Sequence, residues 1–137
     1  EQCVGAVLEA RNPSLESLLY VNPDETVRVA IERMRANGVS QLPVCKNTPP
    51  FAAAEVSGSV DELELMEAIA GDSGMMDVPV EDVMGPHLPT IGAGQKLERA
   101  LEMLHTAPAL LVLSDGRPLS VLTRTDILSY FDARADY

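Results

Sequence analysis

One apolar stripe is written twice in this chain, 70 positions apart. Val27, Ala30, Ile31 and Met34 recur at i, i+3, i+4 and i+7, and Leu97, Ala100, Leu101 and Leu104 repeat that spacing position for position. Val21 leads into the first stripe and Ile91 into the second. The spacing predicts two helices. Asn22, Pro23 and two acids form the first start signal, and Gly38 the stop; Ala107–Pro108 ends the second. After each helix comes a short apolar run, QLPVC (41–45) and ALLVL (109–113), each a buried-strand candidate. Ser114–Asp115–Gly116 then signals a hairpin turn. Two further strands, EVSGSV (55–60) and PLSVLT (118–123), feed two more helices at 61–70 and 124–131. The first repeat carries a longer loop, KNTPPFAAA, so the offset shrinks to 62 by the end of the last strand.

Residues 3–10 read as a lead-in helix, and GDSGMMDVPVEDVMG (71–85) as a linker with a short helical turn. The expectation is an α+β chain of two pseudo-symmetric β-α-β-β-α repeats, 1–76 and 77–137, packed through their sheets. Each half buries too little apolar surface to be comfortable alone, which is why a shared core is expected.

Composition excludes several functions. The net charge of −11 argues against general binding to nucleic acid or anionic lipid, where basic residues supply the affinity. With no Trp, two Phe and three Tyr, there is no stacking platform for single strands. The longest apolar run, APALLVL (107–113), is too short to span a bilayer, and the N-terminus lacks the basic region of a signal peptide. Cys3 and Cys45 are isolated thiols, which fit a reducing cytoplasm. Together with His87 and His105 they show no metal-ligand spacing, so no metal is expected. The acidic run DELELMEAIAGD (61–72) lacks the alternating spacing of a calcium loop and reads as a solvated helix face. Met75, Met76, Met84 and Met103 read as core or interface filling. No Ser/His/Asp or Cys/His set stands at a recognisable catalytic motif, so the chain reads as non-enzymatic.

The doubled order, with VNPDETVRVAIERMRANGVSQLPV (21–44) and PLSVLTRTDIL (118–128), resembles a tandem pair of cystathionine β-synthase (CBS) domains, a Bateman module. The resemblance covers nearly the whole chain. It implies a regulatory unit, often homodimeric through its helices, that binds AMP, ADP, ATP or S-adenosylmethionine between its repeats and biases an attached catalytic or transport domain. VNPDETVRVAI, GVSQLPV and EVSGSVDELEL are further similar to the C-terminal regulatory region of actinobacterial-type cystathionine β-synthases. That would make the parent a pyridoxal-phosphate enzyme. None of its catalytic half is here: only Lys46 and Lys96 could form a Schiff base, and neither sits in a glycine-rich cofactor setting.

In that family the nucleotide motif runs Gly, two apolar residues, Ser or Thr, two residues of any type, then Asp. The carboxylate accepts from both ribose hydroxyls, and the hydroxyl side chain supports ribose or phosphate at a helix start. The second repeat offers Ser120–Val121–Leu122–Thr123–Arg124–Thr125–Asp126, with serine in place of glycine. The first offers Gly58–Ser59–Val60–Asp61–Glu62–Leu63–Glu64, where Asp61 sets like charge against any phosphate and Glu64 is a methylene longer. Hence Thr123 and Asp126 are the expected ligand hooks, and Asp61 and Glu64 a degenerate second site. A helix-capping role explains both pairs as well. By resemblance the opposite wall is Val39, Ser40 and Gln41, with Leu42 as core. In the animal form of the resembling region an acid stands at the position of Ser40, so its absence here weakens S-adenosylmethionine as the ligand. Arg124 is a candidate phosphate contact, against the plainer reading of a solvated charge. A ligand-free dimerisation or docking module is the alternative function.

Overall fold

The computed structural model describes residues 2–11 and 18–135. Its α-helices and strands run α1 (Val4–Arg11), α2 (Val27–Asn37), β1 (Gln41–Cys45), β2 (Val56–Asp61), α3 (Glu62–Gly71), β3 (Thr90–Gly92), α4 (Leu97–Met103), β4 (Ala109–Ser114), β5 (Arg117–Thr123) and α5 (Arg124–Arg134). The expected α+β class is found, with two separate sheets. The chain divides into two compact units, residues 19–87 and residues 1–18 with 88–137.

In the unit of residues 19–87, β1 and β2 pair antiparallel, Gln41 opposite Asp61 and Leu42 opposite Val60. Alternate β2 residues Val56, Gly58 and Val60 face inward, as a half-buried strand requires. Val60 meets Val27, Ala30 and Met34 of the α2 stripe, with Leu42, Val44, Leu65 and Val80, in one aliphatic core. α2 ends at Gly38, whose φ of 63° and ψ of 33° are the left-handed values that glycine adopts without a Cβ penalty. Its start differs from expectation: Thr26, not Asn22, is the N-cap, and its hydroxyl accepts from Val29 N at 3.3 Å. Asn22 instead donates to the carbonyls of Cys45 and Asn47, both at 2.7 Å, tying the segment before α2 to the end of β1. The first strand of this repeat is reduced to a single parallel bridge, Val21 to Val44.

In the other unit, β3 pairs parallel with β4, and β4 antiparallel with β5. Asp115 and Gly116, at φ 51° and 74°, make the tight turn between β4 and β5. Leu97, Ala100 and Leu104 pack with Leu110, Val112, Leu122, Ile127 and Tyr130. α1 completes this core through Val4, Val7 and Leu8. Its first turn is fixed by backbone bonds from Val4 N to Gln95 O (2.9 Å) and Gly5 N to Ala93 O (2.8 Å). The lead-in helix therefore packs with the second repeat's elements, and residues 77–87 with the first, which places the contact units differently from the expected division at 76/77. The outermost residues of that division, Glu1 and Tyr137, lie outside the described residues.

Candidate functional site

In both repeats a strand ends where a helix begins, and that junction is what positions the motif. β5 closes with Thr123 opposite Ala109, and α5 starts at Arg124. Thr123 keeps an extended backbone, φ −117° and ψ 167°, so its hydroxyl turns back over the first helical turn. A reciprocal capping box results. Asp126 N donates to Thr123 Oγ1 at 3.3 Å, and Thr123 N donates to Asp126 Oδ2 at 2.8 Å. The box locks the Asp126 carboxylate in one orientation.

Asp126 has a second partner that sequence reasoning missed. Arg11, the last residue of α1, donates from Nη1 to Asp126 Oδ2 at 2.7 Å and to the Val121 carbonyl at 2.8 Å. Its Nη2 donates to Ser120 Oγ at 2.5 Å. One guanidinium thus gathers three residues of the motif. The Asp126 side chain is 15% exposed, and Oδ2 carries both hydrogen bonds. Oδ1 accepts none among the described residues. Beside Arg11, α1 and the β4–β5 hairpin enclose a cleft of about 430 Å³, lined among others by Gly5, Glu9, Ser114, Leu119 and Ser120.

Arg124 is used elsewhere. Its Nε and Nη2 donate to Leu104 O at 2.8 and 2.6 Å, and Nη2 also reaches Ala107 O at 3.2 Å. The side chain caps the end of α4 and the turn that follows it, which draws Nε and Nη2 away from the expected phosphate contact.

The first motif, in its own unit, is built differently. Asp61 caps α3 weakly, accepting from Glu64 N at 3.4 Å, while its other oxygen accepts from Gln41 Nε2 at 3.3 Å. Both carboxylate oxygens are engaged by the repeat itself. Glu64 is exposed and does not complete a capping box. Ser40 donates to Gln41 Oε1, and its carbonyl accepts from Glu62 N at 2.9 Å. Val39 packs against the core of this unit. The structure therefore joins Ser40 and Gln41 to Asp61, and Thr123 to Asp126, Ser120 and Arg11. Gly58 has a structural reason of its own. A Cβ there would lie 2.6 Å from the Gly85 carbonyl and 2.8 Å from Met84 Sδ.

Among the described residues no group of His, Cys, Asp and Glu is arranged to hold a metal ion, and no helix is long and apolar enough to cross a membrane. A family profile described as CBS domain matches twice, at residues 14–71 and 80–133. The fold is similar to that of a signal-transduction protein with CBS domains from Burkholderia ambifaria, at a TM-score of 0.82 and 19% identity, covering 99% of this chain and 98% of that one. A CBS-domain protein from Agrobacterium tumefaciens superposes at a TM-score of 0.77 and 18% identity, over 97% and 93% of the two chains. The protein CBSX2, solved in complex with AMP, superposes at 0.69 and 22% identity, over 98% and 100%.

Proposed function

The chain belongs to the CBS-domain family, and on that premise we propose that it is a regulatory module in which Thr123 and Asp126 hold the ribose of an adenosine-containing ligand. The observation that carries this reading is the capping box. It orients a partly exposed carboxylate and keeps Oδ1 open as an acceptor, while a neutral hydroxyl stands one turn away. A carboxylate fixed in this way suits two adjacent hydroxyl donors. At Asp61 each oxygen is already engaged, one by Gln41 and one by the α3 backbone, so neither is left wholly open. CBSX2, of the same fold, is known as an AMP complex. By family resemblance Val39, Ser40 and Gln41 serve as the base contacts. The uncharged Ser40 favours a nucleotide over S-adenosylmethionine. The phosphate contact is not assigned to Arg124, which is committed to α4.

The module acts on an attached catalytic domain, and the similarity to actinobacterial-type regulatory regions points to a pyridoxal-phosphate cystathionine β-synthase as the parent, in the cytoplasm. Calorimetric titration with AMP, ATP and S-adenosylmethionine tests the site. Binding is expected to disappear in Asp126→Ala and to persist in Asp61→Ala. Absence of heat at millimolar ligand refutes the reading.

A second reading, a ligand-free dimerisation module, is favoured by two observations. Arg11 already occupies Asp126, and α3 and α5 expose Leu63, Met66, Leu128 (70%) and Phe131 (46%). Light scattering showing an obligate dimer, with a melting temperature that ignores every nucleotide, distinguishes it.

A further inference from the structure

We propose that Arg11 is a displaceable latch: it closes the last turn of α1 onto the motif by taking the acceptor that a ribose needs, so ligand entry frees that turn. The proposal rests on the reading of Asp126 as the ribose acceptor. A ribose presents two adjacent hydroxyls, and an aspartate meets both only with both oxygens available. Oδ2 is held by Arg11 at 2.7 Å as well as by Thr123 N, so the bidentate mode requires Nη1 to leave.

The two ends of α1 are held by different forces. Its first turn is anchored by the backbone bonds to Gln95 and Ala93, and Val4, Val7 and Leu8 are buried. The last turn is not: Glu9, Ala10 and Arg11 are exposed. Among the described residues, the side-chain hydrogen bonds of that turn are the three from the Arg11 guanidinium. Losing a guanidinium contact therefore loosens the C-terminal turn and leaves the rest of the helix docked. The cleft of about 430 Å³ beside it gives the released side chain room, with Glu9 in its lining as an alternative partner. Ser120 belongs to the same device. The hydroxyl that replaces the family's glycine is the acceptor of Nη2.

Arg11→Met keeps the apolar stem and deletes the donors. Adenosine is the probe, since it carries the ribose without a phosphate for Arg11 to attract. Arg11→Met is expected to bind adenosine about tenfold more tightly than wild type, the scale of one charge-assisted hydrogen bond removed from the competition. Hydrogen exchange supplies the second readout. Saturating adenosine is expected to speed exchange at the amides of residues 9–11 in the wild type. In Arg11→Met those amides are fast beforehand and do not respond. Adenosine binding that leaves exchange at residues 9–11 unchanged, or that weakens in Arg11→Met, overturns the latch while the ligand site stands. Failure of both proteins to bind adenosine or AMP overturns the ligand site and the competition together.

Discussion

Gly58→Ala separates two reasons for a glycine at the head of the motif, one in the ligand and one in the chain. The added Cβ would sit 2.6 Å from the Gly85 carbonyl oxygen, about 0.4 Å inside the closest approach that real Cβ atoms make. Met84 Sδ, at 2.8 Å, is on a flexible side chain and can swing aside. The carbonyl cannot move so freely. Gly85 O accepts from Ser59 N at 3.1 Å, and Gly85 N donates to Ser59 O at 2.9 Å, so pushing residue 85 away stretches both bonds. Overpacking costs about 1–3 kcal/mol, and each weakened hydrogen bond up to about 1 kcal/mol. Stiffening of the unfolded chain returns roughly 0.4–1 kcal/mol. The net expectation is a loss of about 2 kcal/mol, read as a lower urea midpoint at unchanged slope. The control is Ser120→Ala, at the equivalent position of the second motif, where a Cβ is already present and only the bond from Arg11 is lost. Because Arg11 is exposed to solvent, that loss is expected to cost less than about 1 kcal/mol. If Gly58→Ala is as stable as wild type, or Ser120→Ala is the more damaging change, the packing account of Gly58 is wrong.

The two thiols should behave differently. Burial, reinforced by the Glu55 carboxylate, pushes the Cys45 thiol up to about 12, and the residue is fully enclosed, whereas Cys3 is partly exposed. One thiol per chain is therefore expected to react with an aromatic disulfide reagent at pH 8 in the native protein and two in urea; two fast equivalents without denaturant would contradict the burial of Cys45. The Arg33 guanidinium, bonded to Glu25 at 3.0 and 3.1 Å, holds the Glu25 carboxyl below its ordinary value despite partial burial, with the Asn22 N–H adding to the effect. A depressed acid contributes stability that is present above its unfolded value of about 4.3 and is lost as pH falls through the folded value. Glu25→Gln is thus expected to be less stable than wild type at neutral pH, with the gap closing below about pH 4 in urea titrations; a gap that widens on acidification would reverse the assignment.

How much of this was legible in the sequence depended on the range of each interaction. The stripe from Val27 to Met34 and the stop at Gly38 are local, and α2 occupies Val27–Asn37. The strand-to-helix junctions at Asp61 and Thr123 were likewise set by neighbouring residues. The error at the start of α2 was also local. Asn22–Pro23 resembled a cap, but a hydroxyl directly before the first apolar position, Thr26, was the stronger signal. Glu25 returns to Asn22 N at 2.9 Å, so Asn22 to Glu25 close a turn of their own ahead of the helix. What could not be read was long-range. Arg11 and Asp126 are 115 positions apart, and an arginine ending a short helix looks like a solvated charge. Arg124 reads the same way until Leu104 and Ala107 present carbonyls to it. The packing of α1 with residues beyond 88 is equally a matter of distant chain segments meeting.

These long-range contacts change what the departures from the family motif mean. In the sequence, Ser120 stands simply as a departure from the glycine of the family motif. The glycine that remains, Gly58, is required by the close approach of Gly85, so its presence in the first motif says nothing about a ligand. In the second motif the serine hydroxyl that stands in its place has an identified partner in Arg11. The discriminating positions are the fourth and seventh. There the first motif has Asp61, with both oxygens engaged, and an exposed Glu64. The second has a hydroxyl and a carboxylate that cap each other, with Oδ1 left as an acceptor and Oδ2 shared with a side chain that has room to move. On the proposed reading, a capping pair of that kind fixes the geometry of the ligand hook before any ligand arrives, and Arg11 sets how much free energy the ligand must supply to use it.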